Sequence, residues 1–262
     1  MTRDTTTTHH VFGAPCWISL LTLDLSGAQA FYKSVLGWHF RPARLGAEFV
    51  TALVGGGPLV GIGSVAPALQ VAATWTPFFA VTSANETAAR IRERGATLAV
   101  GPLTFPVGRG ALAADRDGAV FGIWQGQLVA DWPRWRDSAP VCLRLRTRDA
   151  LDAAMFYGQV LEWAGRRPGS CQVAYESDEV VVRQEGHVVA RISSGAVESL
   201  PDPTVRPRWY VHFPVPDVAA TIAAARRSGG SVVGHSRTAE SELAILSDPE
   251  GAVFTVTGRE PA

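Results

Sequence analysis

The chain has 262 residues, of which 47% are hydrophobic, enough for one large domain or two compact domains with buried cores. Its 24 basic and 24 acidic residues balance and form no long run of one sign, which excludes the electrostatic footprint of a nucleic-acid-binding protein or a polybasic membrane patch. No apolar run approaches the roughly 20 residues that span a bilayer, and the N-terminus lacks the charged and apolar regions of a signal peptide. The 3 cysteines fit neither a CxxC metal pattern nor a disulfide framework, so we expect free thiols in a reducing compartment. We therefore expect a cytoplasmic protein, monomeric or homodimeric, whose partner is a small molecule and not a nucleic acid or a membrane.

The predicted elements begin after a Thr- and His-rich segment, residues 1–13, whose composition predicts a disordered tail. An apolar run at residues 16–23 predicts a strand, and the residues after it predict a helix that covers the outer face of a sheet. Ser26 and Gln29 have the spacing of a capping box at the start of this helix, and Gly37 can take the left-handed conformation at its end. Two further apolar runs, separated by a glycine turn at residues 55–57, complete a β-α-β-β-β module.

A second module of the same kind follows, and a polar, proline-containing segment at residues 129–140 then separates the two halves of the chain. This segment has neither helical nor strand periodicity, so we interpret it as a linker whose Trp132 and Trp135 pack onto a domain. The boundaries predict a first domain at residues 14–128 and a second domain at residues 141–259.

The chain repeats itself. Asp24 and the pair Phe31-Tyr32 recur as Asp149 and Phe156-Tyr157, and the segment from Asp115 to Phe121 recurs in the segment at residues 248–254. Two independent echoes at similar spacing indicate an internal duplication. The sequence therefore predicts four β-α-β-β-β modules, two in each half.

These motifs resemble the vicinal oxygen chelate superfamily, the group of glyoxalases, extradiol dioxygenases, and fosfomycin- and bleomycin-resistance proteins. The resemblance rests on the four modules, on the Asp that stands seven residues before Phe-Tyr, and on the Leu-Gly-Trp that closes the first helix. It covers essentially the whole chain from Pro15 to Gly258 and is similar to the tandem-domain glyoxalase-like or hydroxylase-like branch. It implies an α+β fold of two tandem domains, each with a curved, cup-shaped mixed sheet that holds a ligand. Whether the modules pair in sequence order or cross-pair stays open.

In members that bind a metal, the family's ligands stand at defined positions of the strands. The resemblance transfers them to six residues: Trp17, Thr76, Gly122, Cys142, Tyr210 and Thr255. None of these is His, Asp or Glu, and a single cysteine cannot supply the converging donors that a divalent metal needs. We therefore expect no metal and no cofactor, which argues against a metal-dependent glyoxalase or dioxygenase.

Strand alternation predicts a mainly apolar, aromatic cup in the first half. It places Trp17, Ser19 and Trp124 inside, with Arg109 at the rim. The ordinary alternative is that these aromatic side chains are core residues of the sheet.

The second cup is predicted to be polar and basic. In the sequence CLRLRTRD, Cys142, Arg144 and Arg146 share one strand face, and Tyr210 and His212 project into the same cup. Arginines on one face repel each other unless an anion or a carboxylate lies among them, so this pattern predicts a site for an anionic ligand. The alternatives are that the arginines lie on a solvated sheet, or pair with the carboxylates of three residues: Glu176, Glu179 and Glu185.

His212 near its ordinary pKa could move a proton, and a tyrosine could donate a hydrogen bond to an oxyanion. We therefore predict a metal-independent enzyme of bacterial specialised, antibiotic-type metabolism that performs an isomerase, lyase or cyclase type of step. The predicted catalytic residues are His212 and Tyr210. The predicted substrate-binding residues are Arg144, Arg146, Cys142, Thr255, Trp17, Ser19, Trp124 and Arg109.

The alternatives are a non-catalytic antibiotic-binding, resistance or carrier protein that uses the aromatic first cup, and a structural or regulatory partner whose cups are filled by their own side chains.

Overall fold

The computed structural model describes residues 11–69, 71–129, 132–138, 142–165, 167–196, 206–238 and 241–258. In the part of the first half that the structure describes there are eight strands and three helices. In chain order they are β1 (Pro15–Leu21), α1 (Leu25–Leu36), β2 (His39–Pro42), β3 (Phe49–Val54), β4 (Gly57–Gly63), α2 (Ala66–Leu69), β5 (Thr74–Ala80), α3 (Ala84–Glu93), β6 (Thr97–Phe105), β7 (Gly108–Ala114) and β8 (Val120–Gly126).

A short helix, α4 (Trp132–Ser138), leads to the second half, which again has eight strands. Its elements are β9 (Cys142–Arg146), α5 (Ala150–Val160), β10 (Gln172–Glu176), β11 (Glu179–Gln184), β12 (His187–Ser193), β13 (Arg208–Val215), α6 (Val218–Arg227), β14 (Ser231–Arg237), β15 (Glu242–Ser247) and β16 (Val253–Gly258). Within the described residues, no helix has the length and apolar character needed to cross a membrane.

Each half forms one eight-stranded mixed sheet. The strand orders are β2-β3-β4-β1-β5-β8-β7-β6 and β10-β11-β12-β9-β13-β16-β15-β14. The first strands of the two modules pair antiparallel at the centre of each sheet, β1 with β5 and β9 with β13, while each module closes on itself with a parallel pair. The α+β prediction is confirmed, and the modules pair in sequence order.

The main helix of each module begins at a side chain that caps it. Asp24 accepts a hydrogen bond from the amide of Ser26, and Ser83 does the same for Glu86. The expected capping box of Ser26 and Gln29 is therefore wrong, because Asp24 is already the N-cap. The predicted helix stop is confirmed, since Gly37 has φ of 68° in the left-handed region.

The helices are not only outer covers. Helix α1 packs against α6, and α3 packs against α5, so the helix layers of the two halves meet inside the molecule. There Tyr32 of α1 donates a hydrogen bond to Asp248 of the other half over 3.0 Å, and the indole of Trp75 donates to the Tyr32 hydroxyl over 3.0 Å. The repeated Phe-Tyr motif therefore joins the halves.

The copy of this motif in the second half makes the equivalent contact with the first half. Tyr157 of α5 donates to Asp115 of the first half over 2.9 Å and accepts from the Trp209 indole over 2.9 Å. Burial raises the pKa of Tyr157 well above its usual value and also raises the pKa of Asp115. Each half thus supplies one tyrosine and one aspartate to a shared buried interface.

The predicted linker contains helix α4, and its two tryptophans pack onto the first half as expected. The indole of Trp132 donates to the carbonyl of Pro15 over 3.2 Å, and that of Trp135 donates to the carbonyl of Leu59 over 2.8 Å. Arg136, whose guanidinium lies over the Trp132 ring, donates hydrogen bonds to Gln184 and Glu185 of the second half. Helix α4 therefore bridges the two sheets.

Residues 1–10 of the predicted tail lie outside the described residues. Of the remaining three, Val11 is buried, the amide of Phe12 donates to Gly169, and the carbonyl of Gly13 accepts from the Trp163 indole over 2.7 Å. Residues 11–13 therefore pack against the second half.

Candidate functional site

The first cup is largely filled by its own side chains. Helix α2 with the neighbouring Val65 and Val71 packs over Leu21, Phe78 and Leu112, in a small cluster separate from the main core. Thr76 at the centre of the cup has no exposed surface, and Ser19 beside it is 8% exposed. The space that a ligand would take is therefore occupied by the segment that follows β4.

Glycines let aromatic rings lie flat against the sheet of this cup. A Cβ atom at Gly122 would stand 2.3 Å from the Phe78 ring, and one at Gly63 would stand 2.6 Å from the Phe49 ring. Trp124 covers Gly108 and Gly110 in the same manner. These strands carry glycine because the rings of neighbouring strands fill the volume of the missing side chains.

The predicted ligand contacts of the first cup have protein partners. Trp17 stacks on Trp135 of helix α4 with a ring-centre distance of 5.8 Å, and the Trp124 indole donates to the carbonyl of Gln127 over 3.0 Å. Arg109 pairs in register with Gln125, whose side chain caps α3 at the Ala84 amide, so Arg109 lies on the helix-covered face. The register therefore does not bring Arg109 together with the cup residues.

The second cup brings the polar residues together as the alternation predicts. Three pairs from the antiparallel strands β9 and β13 share one face of the sheet, and they are Cys142 with His212, Arg144 with Tyr210, and Arg146 with Arg208. The parallel neighbours add Arg191 and Ser193 from β12 and Thr255 from β16 to the same face. The side chain of Cys142 lies outside the described part of the structure, so its predicted role stays a prediction.

Some of these arginines are neutralised by the carboxylates that the sequence offered as partners. Glu179 bridges Arg144 over 3.0 Å and Arg191 over 3.4 Å, while Glu176 holds Arg183 through two hydrogen bonds of 2.7 and 2.9 Å. The bonds from Arg183 lower the pKa of Glu176. Glu185, in contrast, pairs with Arg136 of helix α4 and not with the cup.

Arg146 and Arg208 are different, because no carboxylate of the described residues pairs with either. Arg146 donates to the carbonyl of Gly195 over 3.1 Å, and the guanidinium of Arg208 lies 5.9 Å from the centre of the Tyr210 ring. The Nε atoms of both arginines are buried and without a hydrogen-bond partner. Burial lowers the pKa of Arg208.

His212 lies next to Thr255 on the paired strand, and both carry an unsatisfied polar atom. Nε2 of His212 and Oγ1 of Thr255 are buried and have no hydrogen-bond partner in the described structure. Burial, and secondarily the charge of Arg144, lower the pKa of His212 from 6.5 to about 4. The imidazole is therefore neutral at pH 7, and the expectation of an ordinary pKa is wrong.

The donor set does not fit the metal that the fold family implies. The described residues at the family's ligand positions offer an indole, a phenol, two hydroxyls and a glycine, which are Trp17, Tyr210, Thr76, Thr255 and Gly122. Across the described residues, no three His, Cys, Asp or Glu side chains converge on one point. These side chains are not the imidazole, carboxylate and thiolate donors that hold zinc, iron or manganese.

Sequence reasoning missed two residues of the second cup, Arg191 and Arg208. Strand alternation could have identified Arg208, since it stands two residues before Tyr210 and four before His212. Arg191 depends on the parallel register of β12 with β9, which the sequence does not show.

Comparisons with known proteins agree with this architecture. Residues 141–257 match the glyoxalase-like domain family. The chain is 27% identical over 258 residues to "Putative glyoxylase CFP32" of Mycobacterium tuberculosis (strain CDC 1551 / Oshkosh), covering 95% of this chain and 96% of that protein. It is 29% identical over 266 residues to "Anthracycline biosynthesis protein DauV" of Streptomyces sp. (strain C5), covering 93% and 92%.

Among solved structures, the Mn(II)-bound glyoxalase from Novosphingobium aromaticivorans is similar with a TM-score of 0.53 and 17% identity, over 96% of this chain and 83% of that one. This likeness concerns the fold. Together with the paired modules and the two curved sheets, it accounts for the resemblance in the sequence. Residues 141–257 thus match the glyoxalase-like domain family, and the chain as a whole has the fold of the tandem-domain glyoxalases and extradiol dioxygenases that it is similar to.

Proposed function

We propose that this protein is a metal-independent enzyme of bacterial specialised metabolism that moves a proton on an anionic small molecule in the second cup. The observation that carries the proposal is the pair of buried, unpartnered polar atoms, His212 Nε2 and Thr255 Oγ1, in a cup lined with arginines. A buried polar atom without a partner costs stability, and a ligand bound against it can supply the missing hydrogen bond. Similarity to a protein named for anthracycline biosynthesis supports a substrate from an antibiotic pathway.

The neutral imidazole of His212 has a lone pair or a proton at Nε2, according to its tautomer, and can exchange a proton with a substrate atom placed against it. In an isomerisation, His212 accepts the proton from one carbon of the substrate and returns it to another atom, so no co-reactant is needed. Arg144 and the Tyr210 hydroxyl, which face the same space, stabilise the oxyanion that develops between the two transfers. Charge that develops there offsets the effect of Arg144 on His212 and raises its pKa during the reaction.

The test does not require the product to be known. The protein is incubated in D₂O with a panel of aromatic polyketide-type carboxylic acids, and deuterium incorporation is measured by mass spectrometry. We expect exchange with a substrate and a loss of about 100-fold or more in His212→Gln. The matched control is His39→Gln, since His39 is exposed on β2 of the first half. Equal exchange in wild type and His212→Gln would remove the catalytic assignment.

A non-catalytic binding protein is the second candidate, and the low pKa of His212 favours it, because a weakly basic imidazole is better suited to hydrogen bonding than to proton abstraction. Its binding site would also be the second cup, since the first cup is filled by its own side chains. Tight binding of a panel compound, with no deuterium exchange at any of its carbons, supports this candidate over the enzyme.

A further inference from the structure

The second cup has an excess of positive charge at one end. Among the described residues on its face, five arginines meet two glutamates; the arginines are Arg144, Arg146, Arg183, Arg191 and Arg208, and the glutamates are Glu176 and Glu179. The two glutamates form ion pairs with three of these arginines. Arg146 and Arg208 therefore have no carboxylate partner among the described residues. The uncompensated charge is therefore confined to one pair.

This pair occupies directly opposed positions. Arg146 and Arg208 are register partners on antiparallel strands, where side chains on the same face start about 5 Å apart. Like charges at such positions repel and destabilise the sheet. Burial of both Nε atoms increases the cost, because water cannot replace the missing partner. An anion held between the two guanidinium groups would remove both penalties.

The neighbours of the pair favour a singly charged, planar anion. Ser193, in register with Arg146, adds a hydroxyl, whereas Glu179 lies one strand further along the same row and repels a second negative charge. Guanidinium forks match the two oxygens of a carboxylate. This combination suits a carboxylate better than a phosphate dianion.

The other polar centre of the cup lies at a fixed distance from this pair. His212 is four residues from Arg208 along β13, which corresponds to about 13 Å of extended strand. Between them on β13 lies Tyr210, whose register partner Arg144 is paired with Glu179. The cup therefore has an end at Arg146 and Arg208 without a carboxylate partner among the described residues, and a hydrogen-bonding end at His212 and Thr255.

We propose that Arg146 and Arg208 form a carboxylate subsite, and that the ligand of the second cup is an elongated molecule with a carboxylate at this subsite and an oxygen substituent at His212 and Thr255. This inference rests on the proposed function only in placing the ligand in the second cup. It assigns Arg208 as a binding residue and replaces the predicted clamp of Arg144 and Arg146, because Arg144 is held by Glu179.

The experiment compares two probes of the same shape, anthraquinone-2-carboxylate and anthraquinone-2-carboxamide, by calorimetry on the full chain. We expect the wild type to bind the carboxylate at least tenfold more tightly than the carboxamide, and to lose this preference as salt is added. Arg146→Met and Arg208→Met should each weaken carboxylate binding roughly tenfold and leave carboxamide binding nearly unchanged. Arg44→Met is the matched control, because Arg44 lies exposed in the first half.

Equal affinity of the wild type for the two probes overturns the proposal, and so does a preference that both methionine variants retain. Inorganic phosphate that competes as well as the carboxylate probe would show a general oxyanion site and would also overturn it. This binding test is independent of the catalytic proposal, because His212→Gln should keep the carboxylate preference even where it abolishes deuterium exchange. If Arg208→Met fails to fold, Arg208→Lys keeps the charge but loses the fork, and we expect it to weaken carboxylate binding by a smaller factor.

Discussion

The burial of His212 predicts a pH-dependent step in stability that belongs to this residue. Its pKa is about 4 in the folded protein and 6.5 when the side chain is exposed in the unfolded chain. This difference corresponds to about 3 kcal/mol between the two protonation states. Above pH 6.5 the imidazole is neutral in both states. Below it the unfolded chain takes up the proton first, so the contribution of His212 to folding stability falls as the pH drops from 6.5 to about 4 and changes no further below that value.

His212→Gln removes this step, because glutamine does not titrate. The free energy of unfolding is measured for both proteins by urea denaturation from pH 4 to pH 8, with tryptophan fluorescence as the signal. The difference between the two proteins should be constant above pH 6.5 and change by about 3 kcal/mol in favour of the variant by pH 4. Asp115 and Asp248, whose pKa values are raised by burial, titrate in both proteins and cancel.

The two physical causes can be separated. Arg144→Met removes the nearby positive charge but leaves the burial, so most of the step should remain because burial is the larger cause. His39→Gln, at an exposed histidine, should produce no step. A flat difference between wild type and His212→Gln across this pH range would show that the imidazole is solvated, and would refute the reasoning on the second cup.

Further expected outcomes concern the interface and the first cup. Tyr32→Phe and Tyr157→Phe each leave Oδ2 of a buried aspartate without its tyrosine donor and a tryptophan indole without its acceptor. Each should lower the free energy of unfolding by about 1–3 kcal/mol, whereas Tyr175→Phe on the exposed strand β10 should change it little. Equal effects of all three changes would contradict the interface role. Gly122→Ala places a Cβ 2.3 Å from the Phe78 ring and should cost about 1–3 kcal/mol, while Gly158→Ala in helix α5, where a Cβ meets nothing within 4 Å, should be neutral or stabilising. Thermal unfolding of the Gly122→Ala and Gly158→Ala variants measures the two effects.

The internal duplication supplied most of the information about the fold that the sequence contains. The echo of Phe31-Tyr32 at Phe156-Tyr157 set the register of the modules, and with it the shared face of Arg144, Arg146, Tyr210 and His212, which the β9–β13 ladder confirms. Alternation works here because the strands are regular and short, so that one correctly placed residue fixes the direction of the others.

The remaining features depend on contacts between segments distant in sequence. The short helix α2 has too few residues to show periodicity, so nothing in the sequence indicated that it would fill the first cup. The stacking of Trp17 on Trp135 joins a strand to the linker across the domain. Arg109 was placed by counting from Asp115, but the face of an outer strand is set by its pairing, here with Gln125.

The two halves differ in their cups but make the same tyrosine–aspartate contact with each other. The first half fills its cup and supplies Tyr32 and Asp115 to the interface, while the second half supplies Tyr157 and Asp248 and lines its sheet face with charged side chains. Because each tyrosine needs the aspartate of the other half, neither half can satisfy its buried polar groups alone. The repeated helix that indicated the duplication is therefore also the element that couples the two halves.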